Sequence, residues 1–239
     1  NRVRRQRQMC IRDSDYYGWQ VLDDPMYRRF ADDNIDVTTE DIKEMSKIIN
    51  NHIPKRRTAI DIGCHYGFFT KYLSSVFDNV HAFDFPNDVL KCCRHNLRQC
   101  KNVTIHANGI GDTNGQVHTT DWSKKHKRRA PLGMHVDPKN SGRIYPIKTL
   151  DSFAIPHVDL IMIDTEGYEK HVLKGAESTI KKHKPVLVIE FHRTFNNKID
   201  NLTKKFGYTL ADLQTYVESL GYRSLAYISK VDQVFVPKA

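Results

Sequence analysis

A chain of 239 residues, 39% of them hydrophobic, suits one α/β domain with additions, and no apolar run nears the roughly 20 residues that cross a bilayer. Five cysteines without metal-ligand spacing argue against a disulfide framework, and no secretory segment opens the chain, so the expected setting is reducing and cytoplasmic. The net charge of +9 is local: residues 1–14 hold five arginines and one aspartate, Lys124-Lys-His-Lys-Arg-Arg129 holds five more basic residues, and these two patches carry the whole excess.

Val3-Arg-Arg-Gln-Arg-Gln-Met-Cys-Ile-Arg-Asp-Ser14 resembles the conceptual translation of a transposon-based sequencing adapter, a string found at the ends of genes assembled from environmental (metagenomic) DNA. Residues 1–14 are therefore expected to be a disordered artefact outside the fold, with a basic arm for nucleic acid as the alternative. Residues 15–57 read as a helical extension. In it Thr38 or Thr39 caps a helix running to about His52, with Ile42, Met45, Ile48 and Ile49 as its apolar stripe and Pro54 after its end.

From there strand-like and helix-like segments alternate. A strand at Thr58–Ile62 breaks at Gly63, and a helix from Tyr66 or Gly67 to Val76 leads to a strand at Val80–Asp84. A helix over Asn87–Leu97 and a strand over Val103–Ala107 follow. Residues 112–150 interrupt the order, with strand-like pieces near Val117 and at Arg143–Ile147, and read as an inserted hairpin with a loop at its tip. A strand at Val158–Asp164, a helix across Glu169–Lys182 and a strand at Pro185–Phe191 come next. A capped helix, Thr209–Leu220, and a hairpin of Tyr222–Ser229 with Gln233–Val236 end the domain, residues 58–239. Short buried strands separated by helices specify a mostly parallel sheet with helices on both faces and an antiparallel terminal hairpin.

Ligands of such sheets bind beyond the carboxyl ends of the strands. After the first strand stands Asp61-Ile-Gly-Cys-His-Tyr-Gly-Phe68, whose Gly63 and Gly67 permit a sharp turn and close approach of a ligand. It is not a dinucleotide fingerprint, and Asp61 offers an acid for an ammonium group. After the second strand, Asp84, followed by Phe85, can accept both hydroxyls of a ribose. After the third, Asn108-Gly109-Ile110 sets an amide beside an apolar residue, suited to the edge and face of an adenine. Each signal alone also describes an ordinary loop residue or helix cap. Together they point to a ribonucleoside carrying an amino acid, the profile of S-adenosylmethionine.

The chain resembles the FkbM family of methyltransferases from about Ala59 to His192. The resemblance lies in Asp61–Phe69, Ala82-Phe-Asp84, Leu150-Asp-Ser-Phe153, Ile163-Asp-Thr-Glu-Gly-Tyr-Glu169 and Val172-Leu-Lys-Gly-Ala176. Asp164, Glu166, Gly167, Glu169, Leu173, Gly175, Ala176 and Glu190 fill the places of the family hallmark. His65 stands where the family usually has Asn, and Asp84-Phe85 where it has Glu-Pro. The resemblance implies the Rossmann-like class I methyltransferase fold with a seven-stranded sheet, S-adenosylmethionine as cofactor, and methyl transfer to a hydroxyl of a sugar, glycan or other small molecule.

That reaction needs alignment of the acceptor oxygen and removal of its proton. Asp164, Glu166, Glu190 and His192, after the fourth and fifth strands, are the candidate catalytic residues. Carboxylates this close raise one another's pKa, and two or more can also hold a divalent metal, although nothing singles out a metal site. Glu166 can equally be a helix N-terminal acid and His192 a plain strand-end histidine. The alternative function is methylation of RNA or another nucleic acid, with Lys124–Arg129 on phosphate and Trp122 stacking on a base; a cofactor-binding partner subunit without catalysis is a third reading.

Overall fold

Thr58–Ile62 consists of five residues that are all buried, and a strand buried on both faces belongs inside a sheet covered on both sides. The computed structural model describes residues 19–20, 41–119, 136–137, 139, 142–191, 203–228 and 232–238. In chain order these form helix α1 (41–52), β1 (Thr58–Ile62), α2 (Phe68–Ser74), β2 (Asn79–Phe83), α3 (Asp88–Asn96) and β3 (Val103–His106). Three short strands follow: β4 (Gly109–Ile110), β5 (Gly115–His118) and β6 (Ile144–Lys148). Then come a 3-10 turn (Leu150–Phe153), β7 (Val158–Ile163), α4 (Glu169–Gly175), α5 (Glu177–His183), β8 (Val186–Glu190), α6 (Leu210–Ser219), β9 (Tyr222–Tyr227) and β10 (Asp232–Pro237).

Seven strands make one sheet in the order β3-β2-β1-β7-β8-β10-β9. Neighbours from β3 to β8 run parallel, and β10 runs against both β8 and β9. Side chains alternate between the faces. Ile60, Ile62, Ile161, Ile163, Leu187 and Ile189 face α4, α5 and α6, where they meet Leu173, Ile180 and Leu213. Ala59, Leu160, Met162, Val186 and Val188 face α1 and α2, where they meet Met45, Ile49 and Leu73. The expected mostly parallel sheet with helices on both faces is therefore present. Among the described residues no helix is long and apolar enough to cross a membrane.

Local signals set the helix ends. Asn87 accepts a hydrogen bond from Leu90 N and caps α3. Thr209 and Asp212 form a reciprocal capping box at α6, where the sequence places its capped helix. The apolar stripe of α1 is buried at Met45 and Ile49, while its candidate caps Thr38 and Thr39 lie outside the described residues. The extension is not helical throughout, because Trp19 and Gln20 are in extended or irregular backbone.

Two elements differ from expectation. The helix across Glu169–Lys182 is two helices, broken at Ala176, next to the point where Gly175 is pressed against another segment. A Cβ on Gly175 would lie 1.8 Å from the Gly111 carbonyl oxygen. Gly109–Ile110, to which the sequence assigns no element, is β4: it pairs in parallel with β6, which pairs antiparallel with β5, giving a second sheet of three strands. Trp122 and the Lys124–Arg129 cluster lie outside the described residues.

Candidate cofactor and catalytic site

The registers align Phe83, Ile62, Ile163 and Ile189 in one row across β2, β1, β7 and β8. Asp84, Gly63, Asp164 and Glu190 form the next row, at the carboxyl edge of the sheet. Backbone bonds carry the ladder one step further: Gly63 N donates to Phe83 O (2.9 Å), Asp164 N to Ile62 O (2.9 Å) and Asp84 N to His106 O (3.3 Å). The central strands thus deliver these residues to one edge with little freedom.

The turn after β1 requires its glycines. Gly63 has φ 90°, and a Cβ there would lie 1.8 Å from the Asp164 carbonyl oxygen, so the β1 and β7 ends close together only over glycine. Gly67 has φ 86° and precedes α2 directly above Cys93 and Leu97. Between them His65 also adopts a left-handed conformation, φ 49°. Its N–H donates to Asp84 Oδ2 (2.9 Å), and burial pulls its imidazole down to about 4. Cys64 and Tyr66 are buried, with Cys64 Sγ 3.9 Å from Cys93 Sγ, and Phe68 starts α2 half-buried.

Two acids flank this turn. Asp84 accepts from His65 N on one carboxylate oxygen and from Phe85 N (2.7 Å) on the other, which fixes its plane at the β2 end and leaves further lone pairs for a ligand. Burial raises it to about 6. Asp61 is also raised to about 6, mainly by burial, and accepts from the Thr70 hydroxyl of α2. It is 2% exposed, so it braces the turn from behind rather than opening on its surface. Beyond β3, Asn108 is half-buried, and Ile110 sits in the core with Ile147. The Phe85 ring lies against Gly109, where a Cβ would meet it at 2.4 Å, and stacks on Tyr145 (5.1 Å). A preset carboxylate, a glycine turn and a half-buried amide suit a nucleoside better than a diphosphate.

Three carboxylates meet at the β7 and β8 ends. One ligand oxygen each from Asp164, Glu166 and Glu190 lies within 4.8 Å of the others, a donor set and spacing that suit a divalent cation or a proton. Glu166 adopts φ 55° and donates its N–H to Glu190 Oε2 (3.2 Å). Glu190 is pushed well above the ordinary carboxylate range by burial and by the charges of Glu166 and Glu169. Asp164 is pushed up by its enclosure among protein atoms and by Glu190 and Glu166. It also keeps open surface, where water screens charge, so the direction rests on the crowding of like charges.

α4 begins at Glu169, where the sequence places the helix, so the alternative reading of Glu166 as a helix N-terminal acid is not met. Glu169 is 2% exposed and accepts from Thr165 N, Thr165 Oγ1 and Gly167 N, closing the turn that presents Glu166. Tyr208 locks the same turn by donating to Gly167 O (2.6 Å). Sequence reasoning missed Tyr208 and Asp232. Asp232 is 7% exposed and lies opposite Glu190 at the start of β10; an antiparallel strand brings its first residue, not its last, to the carboxyl edge. His192 lies outside the described residues.

A model of the FkbM methyltransferase domain matches residues 61–224, more than half of the chain. The structure resembles methyltransferase FkbM from Methylobacillus flagellatus KT at 20% identity and TM-score 0.53, over 76% of this chain and 43% of that one. This chain thus spans less than half of that protein. A protein from Staphylococcus aureus, provisionally assigned as a caffeoyl-CoA O-methyltransferase, shares 14% identity and TM-score 0.52, over 89% and 90% of the two chains. A SAM dependent methyltransferase from Aquifex aeolicus shares 15% identity and TM-score 0.47, over 82% and 90%. No curated protein matches the chain. The likenesses to the Methylobacillus flagellatus and Staphylococcus aureus proteins show the fold; the domain match shows the family, and the chain belongs to the FkbM methyltransferases.

Proposed function

We propose that this S-adenosylmethionine-dependent methyltransferase acts on a hydroxyl of a sugar, glycan or other small molecule, with the cofactor at the β1–β2 edge and the acceptor at the β7–β8 edge. The observation that carries the reading is the meeting of Asp164, Glu166 and Glu190 at the row that holds Gly63 of the glycine turn. When bound, the cofactor supplies a methyl group on a sulfonium, already activated for displacement. The chain has two remaining tasks: alignment and removal of a proton. Asp84 receives the ribose hydroxyls, Asn108 an adenine edge and Gly63–Phe68 the amino-acid end, with Asp61 behind that turn. An alcohol gives up its proton reluctantly, and a carboxylate of raised pKa is the better base for it. Glu190 holds the acceptor proton in the buried part of the group, and Asp164, with its open surface, exchanges it with water.

The same three carboxylates would hold a divalent cation, if one binds, and would then orient the acceptor oxygen through it. A reducing cytoplasmic setting fits the free thiols of Cys64, Cys92, Cys93 and Cys100. The test is release of S-adenosylhomocysteine in the presence of glycan, small hydroxyl-compound and nucleic-acid panels. Release with a hydroxyl-bearing glycan or small molecule is expected. Release with nucleic acid alone, or only with amines, overturns the proposed acceptor class.

A further inference from the structure

The family match begins at Asp61, yet two residues well before it are fastened to the glycine turn. Asn96, the last residue of α3, is 7% exposed and commits its amide to the second of them, Gln20, and to the turn. Its Oδ1 accepts from Gln20 N (2.6 Å), and its Nδ2 donates to Gln20 O (3.0 Å) and to Tyr66 O (3.0 Å). The side chain pairs with Gln20 as a neighbouring peptide would, reading main chain only, and ties it to the carbonyl of Tyr66 between Gly63 and Gly67. Without Gln20 a buried donor and acceptor would lose partners, so the contact belongs to the folded domain.

Trp19 adds a second attachment. Its ring centroid lies 4.3 Å from that of Phe68, and Lys71 Nζ stands 4.6 Å above the Trp19 ring. Phe68 in turn meets Tyr66 edge to face, at 6.3 Å. Trp19 and Gln20 therefore grip the turn on both sides of Gly67: at Tyr66 through Asn96, at Phe68, and at Lys71 one turn of α2 later. The turn holds a non-glycine residue, His65, in left-handed backbone between Gly63 and Gly67, a strained conformation that gains from an external brace.

We infer that Trp19–Gln20 is a brace that completes the cofactor site, with Trp19 a positioning residue that acts through Phe68 on the Gly63–Phe68 turn. The inference rests on the reading of that turn as cofactor-binding. Its signature is a change in cofactor affinity without a change in the chemical step, because the brace lies on α2 and α3 and not at the β7–β8 edge.

The experiment is calorimetric titration of the whole chain with S-adenosylhomocysteine, using wild type, Trp19→Ala, Trp19→Phe and Asp84→Ala, with kcat and KM for S-adenosylmethionine measured alongside. Trp19→Ala should weaken binding by about tenfold, as expected for loss of an aromatic pair and a cation–π contact. KM should rise in step, kcat should stay within about twofold, and Trp19→Phe should recover most of the affinity. The chain has two tryptophans, so Trp122→Phe leaves Trp19 as sole reporter, and its emission should change on addition of S-adenosylhomocysteine. Unchanged affinity in Trp19→Ala, with Asp84→Ala weakened, overturns the inference and spares the cofactor reading. A fall in kcat with unchanged KM also overturns it. Unchanged affinity in Asp84→Ala overturns the cofactor reading itself.

Discussion

Glu190 and Asp232 stand directly opposite one another across the antiparallel pair of β8 and β10, at 6% and 7% exposure. Like charges so placed repel, and burial withholds the water that would screen them. With Asp164 and Glu166 on the other side, Glu190 sits in the most crowded acidic position of the sheet edge. Such crowding favours a bound proton or a cation over full ionisation.

This crowding makes stability depend on pH. A carboxyl whose folded-state pKa lies above its unfolded value, about 4.3 for Glu, binds its proton more tightly when folded. Without ligand the fold therefore loses stability as pH rises from that value through the raised pKa of Glu190. Glu190→Gln removes the ionisation and keeps the shape. Its melting temperature should exceed that of wild type at pH 8, and the gap should close near pH 4; each 1 kcal/mol corresponds to about 2–4 °C for a domain of this size. A gap that is the same at every pH would show that ionisation of Glu190 is not the cause.

Cofactor affinity should carry a second pH dependence. Asp84 is held up to about 6 by burial, and its ionised form is the stronger hydrogen-bond acceptor. Affinity for S-adenosylhomocysteine should therefore rise between pH 5 and 7 and level off above. Asp84→Ala should lose about 1.5–3 kcal/mol, the value of hydrogen bonds to a charged acceptor, and flatten the rise. Calorimetry showing the wild-type profile in this variant would remove the ribose assignment at the end of β2.

The parallel strands were legible because each is a short buried run between helical stretches, and because glycine at 63 and acids at 84, 164 and 190 mark where the strands stop. The break at Ala176 was not legible, since it accompanies packing of Gly175 on Gly111, a contact between distant segments. The two residues of β4 carry no periodicity and become a strand only by pairing with β6. Asp232 was missed for a topological reason: its place at the site depends on the direction and register of β10. Glu166 stayed open between a catalytic acid and a helix-start acid because the turn closed by Glu169 and Tyr208 has no local signature beyond Gly167.

Residues 1–14 give a third test. Their adapter-like sequence implies that they contribute nothing to the domain, while Trp19 and Gln20 do. A chain lacking residues 1–14 should match the full chain in melting temperature and in S-adenosylhomocysteine affinity. A clear drop in either would show that the basic segment is a working part of the protein.

On the proposed reading, the carboxylates at the β7 and β8 ends take the proton of a hydroxyl acceptor. That step is tested most directly by turnover of Asp164→Asn and Glu190→Gln at saturating cofactor, on an acceptor from the panel, with and without a chelator. Turnover should fall by roughly 10²–10⁴ in at least one variant while S-adenosylhomocysteine affinity changes little. Loss of wild-type activity to the chelator would assign these residues to a metal instead of to the proton. Near-normal turnover in both variants would contradict the account and leave alignment alone as the source of catalysis.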